Sequence, residues 1–259
     1  MEKQPRRITD FLRVMIAKEG SKEASLSDQL AVAGSGLGAY LVRLDYQLKN
    51  KDVISAYKQH FFEDGSGFGF QNYRDGLYGV EYKSPRKTLL SGAVFEYVYT
   101  KSQTSPIHFN YEMDDKHYHL FKKGNGNDHY YNHCEYTAGH SYYGRTKGTP
   151  LFLSPEYNRD GNLGFTSSRI IAFHLGIEGY FHPALQYRLL TTTGQSWGTY
   201  YIPFTNVKKG VASGLDLIYS SPKIQGLDLK LSLGFNKGEF FSDDAFGGGI
   251  TITKRGTIL

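Results

Sequence analysis

The chain of 259 residues has no long apolar run, a single cysteine and a single tryptophan. No stretch approaches the roughly 18 apolar residues of a membrane-spanning helix, and mean hydropathy is −0.46, so a helical membrane protein is excluded. A transmembrane β-barrel is not, because its strands alternate lipid-facing and lumen-facing side chains and average out as hydrophilic. The lone Cys134 rules out an intrachain disulfide framework. A compact Lys/Arg stripe is also missing. The net charge of +5 and pI near 9.0 are dispersed, which permits an anionic partner and predicts no nucleic-acid partner. G-x-S-x-G, P-loop and dinucleotide fingerprints are absent, and Gly65-Ser66-Gly67-Phe68-Gly69 lacks the strand-turn-helix setting that such glycine motifs require. With no nucleophile in view, the expected protein is not an enzyme and carries no cofactor. An export signal is missing too: MEKQPRR is basic, but Asp10, Arg13, Lys18 and Glu19 interrupt the next stretch of chain. A barrel reading therefore expects the natural N-terminus upstream, or a fragment.

What the chain has is aromatic side chains, 21 Tyr and 17 Phe, together with 30 Gly, a usage suited to many strands joined by tight turns. Ile8, Phe11, Leu12, Met15 and Ile16 stand at helical spacing with Thr9 or Asp10 available near the N-cap, and a second short helix is predicted from Leu26 to Ala33, stopped by Gly34 and Gly36. Beyond Tyr40 the period becomes two. Tyr40, Val42, Leu44, Tyr46 and Leu48 share one face and Arg43, Asp45 and Gln47 the other, while Leu227, Leu229, Leu231, Leu233 and Phe235 oppose Asp228, Lys230, Ser232, Gly234 and Asn236. Further alternating segments at 52–62, 76–83, 91–99, 169–181, 184–193, 211–220 and 246–253 bring the total to about nine strands, several near the ~9–11 residues that cross a bilayer at a tilt. Connections divide into short polar turns (49–52, 84–87, 221–223) and one long excursion at 114–168. This division characterises outer-membrane barrels, although a soluble β-sandwich also alternates. The expected architecture is all-β: a partial antiparallel outer-membrane β-barrel over 37–259, preceded by one or two short helices in 1–36.

Four groups of residues invite a functional reading. His60, Glu63 and Asp64 lie where a strand runs into a Gly-rich end; a histidine with two carboxylates can do acid/base work or bind sugar hydroxyls, or merely line a lumen. In the long excursion, His117, His119, His129, His133 and His140 accompany Cys134, but no zinc-enzyme spacing appears, and no metal is expected. The same excursion interleaves Tyr130, Tyr131, Tyr136, Tyr142 and Tyr143 with Asn132 and Arg145. Ring faces cover the apolar C–H patches of sugars while amide and guanidinium donors meet hydroxyls, so this set suits glycan binding; the alternative is that the rings pack the loop against the sheet. Finally, Glu63 and Asp64 are the only anchors for a hydrolase, the least favoured option.

Several ordered blocks point further. HFFEDGSGFGFQNYRDGLYGVE (60–81), VFEYVYTKSQTSPIHF (94–109), NDHYYNHCEYTAGHSYYGRTKGTPLF (127–152), SSRIIAFHLGIEG (167–179) and WGTY (197–200) resemble successive blocks of the Wzi-type capsule assembly family in its Bacteroidetes-like form. The resemblance covers nearly the whole chain, SDQLAVAGSGLGAY included, and makes it similar to the C-terminal portion of such a protein. It implies an outer-membrane barrel with a helical element that holds capsular or exopolysaccharide at the cell surface, with outer-membrane lipid around it. Asp128-His129-Tyr130-Tyr131-Asn132-His133 stand where the family is Asn-rich, so ligand preference does not carry over. The residues expected to meet polysaccharide are His60, Glu63, Asp64, Tyr130, Tyr131, Asn132 and Arg145; a porin or transporter channel is the alternative function.

Overall fold

The computed structural model describes residues 5–16, 18–25, 29, 33–34, 36–63, 65–103, 113–114, 117–118, 129–133 and 137–256. The first predicted helix forms at Ile8–Met15, its start closed by the Asp10 carboxylate accepting the Arg7 N–H at 3.2 Å. The second, at Leu26 to Ala33, falls mostly outside the described residues. Among the described residues thirteen strands follow: β1 (Gly38–Gln47), β2 (Val53–Phe62), β3 (Gly76–Lys83), β4 (Gly92–Tyr99), the two-residue β5 (Met113–Asp114), β6 (His117–Tyr118), β7 (Ser141–Tyr142) and β8 (Arg145–Thr146), then β9 (Ile170–His182), β10 (Leu185–Gly198), β11 (Pro203–Ser220), β12 (Leu227–Lys237) and β13 (Ala245–Lys254). Nine of them form one antiparallel sheet in the order β1-β2-β3-β4-β9-β10-β11-β12-β13. The expected count of strands is thus met, but β1 and β13 do not pair and the sheet is not closed.

Because β4 and β9 are neighbours, the chain leaves the sheet at Tyr99 and returns beside the same strand at Ile170. The excursion therefore starts at Thr100 rather than at 114: the strand ends where the Thr100 hydroxyl takes over edge pairing, donating to Ser168 O at 2.6 Å and accepting the Ile170 N–H at 3.0 Å. One end of the sheet carries the turns 48–52, 84–91, 183–184 and 221–226; the other carries 63–75, 100–169, 199–202 and 238–244.

Register converts the alternation into two unlike faces. The rows Leu44↔Ala56↔Val80↔Phe95↔Leu175 and Leu217↔Leu231↔Ile250 lie on one face, and its apolar side chains are open, Leu44 at 72% and Ile250 at 77% exposure. Tyrosines and phenylalanines flank this aliphatic middle. Phe181 stacks on Tyr187 at 4.6 Å near the short turns, and Tyr78, Tyr97 and Phe173 form a row toward the other end, with Tyr97 and Phe173 at 5.2 Å. The opposite face is ionic: Arg43 meets Asp45 and Glu81 at 2.8 and 2.7 Å, and Asp216 receives Arg188 and Lys230 at 2.8 and 3.0 Å. Half-exposed pairs of this kind contribute only about 0–1 kcal/mol each, so they record which face is wet more than what holds the sheet together.

The buried core sits on the ionic face, at the end opposite the short turns. Val98, Ile170 and Ala172 from the sheet are covered by Tyr130, Tyr131, Phe152 and Phe165 of the excursion and by Phe240 of the β12–β13 connection. Both connections thus fold inward over the polar side. Phe240 fits because β10 and β11 present Gly194 and Gly210 beneath it; a Cβ on Gly194 would lie 2.4 Å from the ring. Gly194→Ala should displace Phe240 and lower stability by roughly 1–3 kcal/mol, read as a shifted thermal midpoint; an unchanged midpoint would show that the ring is not held there.

Candidate functional site

The seven residues expected to meet polysaccharide separate into a buried group and an exposed one. His60 lies on the apolar face, stacked on Phe70 at 4.7 Å beside Tyr40, and is 2% exposed. Its Nε2 is 2.9 Å from the Gly67 carbonyl and its Nδ1 is 3.3 Å from that of Asp75, so it ties the β2–β3 connection to the strand end rather than facing a ligand. Glu63 accepts the Tyr131 N–H at 2.6 Å, pinning the excursion where it meets β2. Asp64 lies outside the described residues.

Tyr130 and Tyr131 are buried, which is the packing alternative for the loop tyrosines. The hub beneath Tyr130 is Asp75, fully buried, a residue that composition and spacing did not single out. Its carboxylate accepts the Tyr130 hydroxyl at 2.7 Å and the N–H groups of Ser102 and Gln103 at 2.9 and 2.5 Å. The Asn72 amide also donates to the Tyr130 oxygen. Asp75 reaches this position because Gly76 turns the chain at φ 137°, with the Gln59 carbonyl 2.1 Å from where a Cβ would stand. Burial pushes the Asp75 carboxyl up to about 6, against the pull of the Tyr130, Ser102 and Gln103 donors.

Tyr131 is held from three directions. Its carbonyl accepts the His140 N–H at 2.8 Å, its hydroxyl accepts the Thr149 N–H at 3.0 Å, and its ring meets Phe152 and Phe165 edge-on at 4.7 and 5.2 Å. Burial raises its hydroxyl pKa above the usual value. Asn132 acts as a peptide mimic, with Nδ2 donating to Phe165 O at 2.9 Å and Oδ1 accepting Phe165 N–H at 2.7 Å. Burial also lowers His129 and His140. Among the described residues, no three of His, Cys, Asp and Glu converge on a point that could hold a metal; His119 and Cys134 lie outside them.

Arg145 is elsewhere, on the β7–β8 hairpin. Tyr142 pairs with Arg145, leaving Tyr143-Gly144 as a two-residue turn with φ of 49° and 76°, the type I′ pattern. The Tyr143 ring is 87% exposed and meets Tyr142, itself open, edge-on at 4.6 Å. Arg145 Nε donates to Glu156 at 3.2 Å, and Arg145, Glu156 and Tyr157 border a groove of about 650 Å³. The exposed aromatic and guanidinium groups therefore gather around this hairpin and groove.

A second space lies between the ionic face and the docked excursion. This cavity of about 610 Å³ has Phe61, Leu77, Val98, Leu151 and Phe152 as its apolar lining and Gln59, Glu63, Glu96, His174 and Thr192 among its polar groups. Gly148 and Pro150 border both the cavity and the hairpin groove.

No protein-family profile matches the chain, and neither the curated proteins nor the solved structures contain a significant match. No described helix is long and apolar enough to cross a membrane, which says nothing about strands.

Proposed function

We propose that the chain is part of the wall of an outer-membrane β-barrel and that its β7–β8 hairpin binds a capsular or exopolysaccharide at the cell surface, the role implied by the Wzi-type resemblance. The observation that carries the reading is the pair of unlike faces, with a hairpin of exposed tyrosines and Arg145 on the loop-bearing side. An apolar face bordered by aromatic side chains, backed by an ionic one, is the pattern of a lipid-facing wall and a wet lumen. On a water-soluble protein, an apolar surface of this extent would be an association hazard.

The hairpin tip adds a second support. A tyrosine in the left-handed region costs on the order of 1 kcal/mol relative to glycine, and Tyr143 has no burial to offset it. Strain of this kind concentrates where a side chain is used. The porin alternative is less well supported, since two connections fold over the ionic face and occupy space that a conducting lumen needs.

Changing Tyr142 and Tyr143 together to alanine in the chromosomal gene tests the reading. Two lost ring contacts, each worth roughly 0.5–1.5 kcal/mol, should weaken polysaccharide binding about tenfold and shift material from the cell-associated to the shed fraction, with the protein's own level unchanged. Full retention of polysaccharide by this variant and by a gene deletion would sink the proposal.

A further inference from the structure

The geometry points to the cavity between the docked excursion and the ionic face as a subsite for uncharged, amide-bearing sugar units of the N-acetylhexosamine type, from which uronic acids are excluded. The inference rests on the polysaccharide role proposed for the hairpin and specifies the chemistry of the chain that would enter. At about 610 Å³ the cavity is within the roughly 300–1,000 Å³ of small-ligand pockets, and it combines a largely apolar surface with a few placed polar groups. It also adjoins the hairpin groove through Gly148 and Pro150, so a glycan lying on the tyrosines has a continuous path inward.

Charge selects among sugars. Among the described residues, the lining contains Glu63 and Glu96 and neither lysine nor arginine. Both carboxylates are fixed in place, Glu63 by the Tyr131 N–H and Glu96 by the Tyr57 hydroxyl, each at 2.6 Å. An acidic sugar brought against them would have its charge desolvated beside like charges, with no lysine or arginine of the described lining to pair with, whereas hydroxyl and amide N–H groups are donors that carboxylates accept. His174, held by Thr192 at 2.7 Å, supplies a further ring nitrogen at the wall. The apolar lining from Phe61, Leu77, Val98 and Phe152 suits an acetamido methyl and the C–H face of a pyranose.

The test titrates the purified full-length gene product in detergent with N-acetylchitotriose and with trigalacturonate, each monitored by calorimetry. The wild type should bind the first and not the second. Glu96→Gln should weaken N-acetylchitotriose about tenfold, the size of one charge-assisted hydrogen bond, and Glu96→Lys should gain binding of trigalacturonate. If Glu96→Lys does not fold, Thr192→Trp, which fills the cavity, should abolish N-acetylchitotriose binding. Equal or tighter binding of trigalacturonate by the wild type, no binding of N-acetylchitotriose, or binding indifferent to the Glu96 and Thr192 changes overturns the subsite. If polysaccharide retention still depends on Tyr142 and Tyr143, that failure leaves the hairpin reading standing.

Discussion

Asp75→Ala should loosen the excursion from the sheet and lower stability by about 3 kcal/mol, the largest loss expected from a single side chain outside the strands. The reason is an imbalance of donors. Two backbone N–H groups and the Tyr130 hydroxyl all point at one carboxylate in a fully buried place, and alanine removes the acceptor that they share. Removing the buried charge offsets only part of this. Asp75→Asn keeps one carbonyl oxygen and turns an NH₂ toward another donor, so its loss should be smaller. Limited proteolysis reads the difference, with cleavage within 129–169 rising in the order wild type, Asp75→Asn, Asp75→Ala. Equal protection in all three would show that the excursion is held by its aromatic core alone.

The same carboxylate makes docking depend on pH. Burial raises its pKa from 3.8 to about 6, so the docked form holds the proton more tightly than the released form. The resulting stabilisation is fully present below about pH 4 and disappears as pH rises through 6, an effect on the order of 3 kcal/mol at its limit. His129 and His140 act in the opposite sense, because burial lowers both and their charging in acid opposes docking. The Asp75 contribution is therefore read as the difference between wild type and Asp75→Asn across pH 4 to 7. Protection that falls with rising pH in the wild type relative to the variant is the expected result; parallel pH profiles would contradict it.

The strands were legible where neighbouring side chains disagree in polarity. Leu227 to Phe235 alternate without exception, and the register places their apolar members on a single face. The first half of β11 was missed because Pro203-Phe204-Thr205-Asn206-Val207-Lys208-Lys209-Gly210 has almost no alternation; its pairing follows from the partner strand β10, to which Lys208 and Lys209 are matched at Ser196 and Gln195. β10 likewise continues past Thr193, since Thr191-Thr192-Thr193-Gly194 gives no period from which to choose a face.

The site was half legible. Composition found the tyrosines of the excursion but could not divide them, because Tyr130 and Tyr142 stand in similarly polar surroundings in sequence. What buries one and exposes the other lies far away in the chain: Asp75 and Asn72 hydrogen-bond the Tyr130 hydroxyl, while Tyr142 stays open beside a tight turn whose Gly144 carbonyl accepts the Glu156 N–H. In the sequence, Asn72 and Asp75 belong to Gln71-Asn72-Tyr73-Arg74-Asp75-Gly76, which reads as an ordinary polar turn. An Asp-Gly pair immediately before an alternating strand was the available signal, and only the fold shows that this turn closes over a core.

The central claim is that the face bearing Leu231 is turned to lipid and the face bearing Ser232 to water. It is tested most directly by placing one arginine on each and measuring the unfolding free energy of the full-length protein reconstituted in phospholipid vesicles. Leu231→Arg should cost about 2–4 kcal/mol, the penalty for a cation on the lipid side near the middle of a bilayer, while Ser232→Arg, beside Asp216 on the ionic face, should cost well under ~1 kcal/mol. Equal and small losses at both positions would contradict the account and leave a sheet whose apolar face serves some purpose other than meeting a membrane.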